Sequence, residues 1–546
     1  MRLLRCRRNI RTAGLLALPA AALLTLAVAG CGGSSHASRT PTARHHPLET
    51  IFESDTELEA DPAGTLDLFR RLGVDRVRVY IPWGALGSRP PLAPDPTSRT
   101  PPPNFDATNP AAYPESGWAV YDEIDREAHA RGVGLDYTLA APAPVWATQP
   151  GEPPGPVGVW KPSASDFGKF VHAVATRYSG HYPDPLHPGR KLPRISFWGI
   201  WNEPNLGIDL APQAIDRGKL EVSPAFYRRI VDAAWSSLQA TGHGGDTILI
   251  GELAPQGRSV GPYPGNFDMM VPLRFVRALY CVDSSYHELR GTAAAQRGCP
   301  TTAADSAHFA AQHPGLFHAA GFADHPYPQN QAPNFANTLE PDYADFAALP
   351  NLERTLDRVQ LVYGSSTRFD IYSTEFGYKT NPPEKLIRAI PPARAAVYLN
   401  QAEYMSWRDP RIRSYDQYLL KDSPSGDFAT GIETATGAPK PTYDAFRFPV
   451  WMPVTTSSKG ASLEVWGDVR PARYAGLQSG HPAKVEIQFQ PGGASTFKTV
   501  RTVSVTDPYG YFDVRQPFDG SGTVRLRWAN PHGPTIFSRS VSLTLK

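Results

Sequence analysis

Residues 195–207 read ISFWGIWNEPNLG, an apolar run that stops abruptly at Asn202, Glu203 and Pro204. A strand that only fills a core has no use for a carboxylate at its tip. Sheets built from βα units do have such a use, because their working side chains stand at the C-terminal ends of the strands.

Seven more runs of this kind lie around it: LETIFES from Leu48, DRVRVYI from Asp75, GVGLDYTL from Gly132, TILIGEL from Thr247, AAGFADH from Ala319, RFDIYST from Arg368 and SYDQYLL from Ser414, with RISFWGIW from Arg194 as the fourth of eight. Helical stretches fill the gaps, among them PAGTLDLFRRLG, ASDFGKFVHAVATRYSG and LERTLDRVQLVYG. Several start after Ser or Asp and stop at Gly, as helix caps require. Alternation of this kind predicts a parallel sheet, and eight units close naturally into a (β/α)₈ TIM barrel over residues 48–452. The span exceeds the ~250 residues typical of that barrel, and the excess falls in loops stiffened by many of the 56 prolines.

Beyond KPTYDAFRFPVWMPV the period changes. AKVEIQFQ, KTVRTVSVT, GYFDVRQ, TVRLRWAN and SRSVSLTL alternate polar and apolar residues between Gly, Pro, Asp and Asn, the pattern of a small all-β sandwich over residues 455–546. No internal repeat stands out.

The 54 basic and 52 acidic residues leave a net charge of +2, and no long run of one sign follows residue 11. This balance argues against a nucleic-acid partner. Five arginines at positions 2, 5, 7, 8 and 11 precede an apolar run from Ala13 to Gly30, the order of an export signal. The run ends in Val28-Ala29-Gly30-Cys31, followed by Gly-Gly-Ser-Ser, and so resembles a bacterial lipoprotein signal. That resemblance implies cleavage before Cys31, lipid on its sulfur and residence at the cell surface on the bacterial membrane; an uncleaved anchor is the alternative. Residues 32–47 lack periodicity and read as a flexible tether. Of the remaining cysteines, export favours a bond between Cys281 and Cys299 over two free thiols. Neither is a catalytic cysteine or a metal ligand by context.

At the strand ends, WNEPN closely resembles the acid/base signature of clan A glycoside hydrolases, the superfamily of family 5 cellulases and mannanases and family 39 xylosidases. The resemblance implies a second carboxylate after the seventh strand, and FDIYSTEFGY supplies Glu375 there. By it, Glu203 is the acid/base, Glu375 the nucleophile of a retaining double displacement, and Asn202 the partner of a sugar 2-hydroxyl. Two carboxylates in unlike surroundings are what this chemistry needs.

The resemblance further places Arg78 beside the nucleophile, where an ordinary barrel salt bridge is the other reading, and gives Tyr327 of the His325-x-Tyr327 pair a hydrogen bond to it. Trp83, Trp146 and Trp160 are candidate stacking platforms, though each could be core instead. Glu252, ending TILIGEL, is the rival carboxylate. Three departures stand out: Gly199 occupies a position where family 39 usually has glutamate, Ser196 one where family 5 expects an aliphatic residue, and Tyr418 ends the eighth strand where many members have tryptophan. The sandwich resembles immunoglobulin- or fibronectin-like modules and is expected to act as a spacer. The chain is expected to be a monomer acting on carbohydrate, without cofactor or metal. A transglycosylase, a non-catalytic glycan binder on the same barrel and a two-lobed solute-binding lipoprotein are the competing readings.

Overall fold

The computed structural model describes residues 47–258, 265–385 and 388–546; the signal segment, Cys31 and nearly all of the tether lie outside them. Eight parallel strands close in sequence order: β1 (Glu49–Glu53), β2 (Arg76–Pro82), β3 (Gly134–Ala140), β4 (Phe197–Ile200), β5 (Thr247–Leu253), β6 (Gly321–Asp324), β7 (Asp370–Ser373) and β8 (Ile412–Tyr418). β8 returns to β1 with Glu49 opposite Ser414 and Glu53 opposite Tyr418. The expected barrel is therefore present, strand for strand. Among the described residues no helix is long and apolar enough to cross a membrane.

The helix Pro62–Leu72 illustrates how local chemistry builds the outer ring. Asp61 caps it by accepting from Gly64 N at 2.9 Å, and Gly73 ends it in the left-handed region at φ 83°. Leu66, Phe69 and Leu72 are buried on its inner face, each contributing about 1.5–3 kcal/mol by leaving water.

The barrel interior is layered. A small apolar plug of Phe197, Leu249 and Ala323, backed by Tyr372, fills one level. Above it the interior turns charged, with Glu53, Arg78, Asp136, Glu252 and Asp416 all buried, where such barrels usually carry Val, Ile and Leu.

The C-terminal part forms two sheets. One joins Val450–Trp451, Ser462–Asp468 and Tyr511–Pro517; the other centres on Ala483–Pro491, between Lys498–Val505 and Gly522–Trp528. Val485, Ile487, Val524 and Leu526 alternate into its own core. The sandwich begins earlier than the sequence suggests, because Val450 and Trp451 pair with Gly467 and Trp466.

Residues 46–546 form one compact unit, and the contact between sandwich and barrel explains why. Arg470, wholly buried, donates to Glu403 Oε1 at 2.6 Å and to the Phe446 carbonyl at 3.0 Å, and hydrogen-bonds Thr50 of β1. Tyr474 donates its hydroxyl to the Val74 carbonyl at 2.8 Å. A loosely tethered spacer would make no such buried ion pair. Cys281 and Cys299 are joined as a disulfide with Cα atoms 5.7 Å apart.

Candidate active site

The tip of β4 is held in an unusual backbone. Trp201 and Glu203 both lie in the left-handed region, at φ 68° and 36°, a conformation that costs of order 1–3 kcal/mol for each such residue. Burial over-determines it: Trp201 is fully enclosed, packs edge-on against Phe167 and donates its indole N–H to Asp209 O at 3.2 Å. The strained turn points Glu203 into the barrel mouth.

Glu252 reaches the same place by a different device. β5 carries a register shift against β6 between Gly251 and Leu253, with Gly251 at φ 107° and Glu252 at φ 50°. A bulge of this type re-aims a side chain that regular alternation would send outward. Gly199 on β4 completes the arrangement, since a Cβ there would stand 2.7 Å from Glu252 Oε1 and 2.7 Å from Thr138 Oγ1. The lack of a side chain at Gly199 thus leaves room for the carboxylate that the next strand supplies.

These groups form a single network under a cavity of about 420 Å³. Arg78 donates to Glu375 Oε1 at 2.7 Å, to Asn202 Oδ1 at 2.8 Å, to Glu252 Oε2 at 3.3 Å, to Thr138 Oγ1 at 3.0 Å, and to Glu53. His325 Nδ1 lies 2.9 Å from Glu203 Oε1 and 3.6 Å from Glu375 Oε1, while its Nε2 lies 3.0 Å from Glu252 Oε2. Tyr327 donates its hydroxyl to Glu375 Oε2 at 3.1 Å. One oxygen each of Glu203 and Glu375 and one nitrogen of His325 lie within 4.8 Å of one another.

By spacing alone such a trio could gather a cation. Here both ring nitrogens of His325 already face carboxylates, and the Arg78 guanidinium supplies positive charge beside Glu375.

Burial raises the Glu203 carboxyl above the ordinary carboxylate range; the hydrogen bond and charge of His325 draw it back, and Glu375 adds to the rise. Glu252 shifts the other way: burial opposes ionisation, but Arg78, His325 and Thr374 hold its carboxyl below the usual range. For His325, burial works against the cation, yet the carboxylates of Glu375, Glu203 and Glu252 lift it well above the ordinary imidazole value. The site therefore holds one carboxyl biased toward its proton beside an imidazole biased toward its cation. That is the asymmetry acid/base chemistry requires.

Of the residues expected from sequence, Asn202, Glu203, Tyr327 and Glu375 line the cavity. Arg78 and His325 lie beneath its floor, wholly buried, and reach it only through the side chains they hold. Trp83 does not fit the role of a stacking platform: it is wholly buried among Trp146, Phe167 and Phe170. Trp146 is also outside the cavity, its indole N–H given to the Pro94 carbonyl at 3.1 Å and its ring packed on Phe105. Both rings serve the packing of the β2 and β3 loops. Trp160, buried against Phe267, lies outside as well.

The aromatic lining comes instead from Tyr80, Tyr418 and Phe428. Sequence reasoning missed Glu53, although it ends β1 as Glu203 ends β4. It also missed Asp209 and Lys379, which sit on loops without a pattern to mark them.

No protein-family model matches the chain, and no curated protein matches it in sequence. Solved structures are similar to it at low identity. A family 39 glycoside hydrolase from the gut symbiont Bacteroides cellulosilyticus WH2 is 12% identical, over 86% of this chain and 81% of that one, with a TM-score of 0.45. A GH30 endoxylanase from Clostridium papyrosolvens C71 is 10% identical, over 88% and 96%, at 0.43. The endo-beta-1,4-mannanase from Thermotoga petrophila is 11% identical, over 93% and 99%, at 0.37. Likeness at this level carries no argument, and the chain's own geometry carries the functional one.

Proposed function

We propose that this chain is a glycoside hydrolase that cleaves O-glycosidic bonds of a poly- or oligosaccharide with retention of anomeric configuration. The observation that carries the reading is the pair Glu203 and Glu375, with oxygens within 4.8 Å of each other across the barrel mouth. Retaining enzymes hold their two carboxyl groups about 5–5.5 Å apart, whereas inverting ones need about 6.5–9.5 Å to admit a water.

The roles follow from the surroundings. Glu203, biased toward its protonated form, donates to the leaving oxygen. Glu375, against Arg78 and Tyr327, attacks the anomeric carbon and forms a glycosyl ester, releasing the aglycone as the Glu203 proton transfers. Glu203, now ionised, takes a proton from water, which attacks the same carbon and frees Glu375. Asn202, whose oxygen accepts from Arg78 and whose amide hydrogen-bonds the Asp209 carboxyl, lines the cavity as the partner for a sugar hydroxyl.

Export and lipid attachment at Cys31 belong to the same proposal; their support is the order of basic, apolar and small residues before Gly-Gly-Ser-Ser. The disulfide fits an oxidising compartment.

The test is reducing-sugar release by the purified full chain across plant, fungal and bacterial glycans, with proton NMR of the first-formed anomer. Retained configuration in the wild type and no release by Glu375→Gln support the proposal. Inverted product, or equal release by the variant, overturns it.

A further inference from the structure

Lys379 is a cation in the cavity that the mechanism above does not use. It lines the same space as Glu375, four residues further along the chain. Its backbone is pinned: its carbonyl accepts from Ile390 N at 2.9 Å, and the next residue, Thr380, donates its N–H to Ala429 O at 3.0 Å. Its ammonium stands over the ring of Phe428, 4.8 Å from the centroid. Phe428 in turn packs edge-on against Tyr327 and Tyr418 at 5.6 Å each, and Tyr327 is the residue that holds Glu375. One continuous aromatic wall therefore runs from the nucleophile to Lys379.

Among the described residues no carboxylate forms an ion pair with Lys379, in contrast to Arg78 and His325 below, whose charges are met by Glu53, Glu252 and Glu375. Of the other acidic groups facing the space, Glu53 and Glu375 are already paired with Arg78. Burial, with Glu203 and Glu375 adding, raises Asp209 well above the carboxylate range, and Glu203 is raised as well. A lysine held over an aromatic face, half-buried and facing a cavity whose carboxylates are engaged elsewhere, is a positive charge open to an anion of the substrate.

Building on the glycosidase reading, we propose that the substrate carries an anionic substituent on a sugar unit next to the scissile bond, a uronic carboxylate or a sulfate, and that Lys379 binds it while Phe428 and Tyr418 pack against the sugar faces. The charge makes Lys379 a specificity-determining residue.

The experiment separates this proposal from the one it rests on. Calorimetric binding of β-1,4-linked tetramers of glucose, glucuronate and 6-O-sulfoglucose to the full-length Glu375→Gln protein measures preference without turnover. The expected result is at least tenfold tighter binding of one anionic tetramer than of the neutral one, with the glucuronate and sulfate arms deciding which anion it is. A second substitution, Lys379→Met, then removes the preference, and Lys379→Arg retains most of it. Equal binding of all three tetramers, no binding of any, or an anionic preference that survives Lys379→Met overturns the proposal. Turnover by the wild type decides the glycosidase reading separately, since hydrolysis of the neutral tetramer alone would leave that reading standing and this one refuted.

Discussion

Nδ1 of His325 lies 2.9 Å from Oε1 of Glu203, so a buried imidazole that its carboxylate neighbours bias toward the cation sits against the carboxyl assigned to proton transfer. The contact sets that acid between two opposing influences. Burial favours the neutral acid and the cation favours the carboxylate, and burial prevails.

Replacing His325 with Gln removes the cation and keeps a polar side chain of similar reach. The Glu203 carboxyl then moves further upward, because the influence that drew it down is gone. Arg78, Glu252 and Glu375 still surround the position. The basic limb of the kcat/KM profile, which reports loss of the essential acid proton in the free enzyme, is expected to shift to higher pH by about 1–3 units. A limb that stays in place, or moves down, in pH-rate measurements would detach His325 from Glu203.

Removing the two carboxylates has different signatures. Glu375→Gln is expected to lower kcat by roughly 10⁴-fold or more on every substrate. The fold is retained, since Arg78 keeps Glu53 and Glu252 as partners. Glu203→Ala is expected to slow glycosides with poor leaving groups far more than activated aryl glycosides, whose departure needs no proton. Steady-state kinetics on a leaving-group series checks both, and equal losses across the series would count against Glu203 as the acid.

The barrel was legible in the sequence because each strand is a short apolar run closed by turn residues; position at a strand end made Glu203 and Glu375 candidates, and the resemblance of WNEPN to the clan A signature singled them out. What remained hidden depends on the third dimension. Glu252 was visible as a rival carboxylate, but regular alternation sends it outward, and how the bulge at Gly251 turns it in could not be read. Trp83 lies just beyond β2 on the catalytic side, yet its ring is taken up by Phe167 and Phe170. The strand Ser462–Asp468 escaped notice because its second half is buried throughout, as Trp466 packs against Trp407 and Tyr511, so the two-residue alternation is lost.

Gly199→Ala tests whether the site depends on the space that Gly199 leaves for Glu252. The added methyl would meet Glu252 Oε1 and Thr138 Oγ1 at 2.7 Å each, closer than such contacts allow, so Glu252 must shift away from His325 and Arg78. Displacements of this size cost about 10²-fold in rate when they disturb a catalytic constellation. The expected outcome is that loss in kcat with far-ultraviolet circular dichroism unchanged. A fully active variant would mean that Glu252 does not hold the network.

Arg470→Ala tests whether barrel and sandwich fold as one. The substitution strands Glu403 and Asp468, both buried, without their cation. Breaking a buried pair from one side costs about 3–5 kcal/mol. Denaturant unfolding followed by both tryptophan fluorescence and circular dichroism is expected to give one earlier but still single transition. Two separated transitions would show a sandwich that folds independently.

Asp125, on the inner face of the helix Glu115–Arg131, offers a test of stability apart from the site. Its Oδ2 has no hydrogen-bond partner among the described residues. Burial first, and the neighbouring Asp122 second, push its carboxyl up to about 8, with Arg126 opposing. In the unfolded chain the same group titrates near ~3.9. Between these values the folded protein holds a proton that the unfolded chain has released, so stability falls as pH rises through this window. Asp125→Asn, which keeps the shape without the ionisation, is expected to stabilise the protein by about 1–3 kcal/mol at pH 8 and to lose that advantage as the pH approaches 4. Thermal melts of wild type and variant across this range measure the difference, and a constant offset at every pH would show that Asp125 is charged in the folded state as it is in the unfolded one.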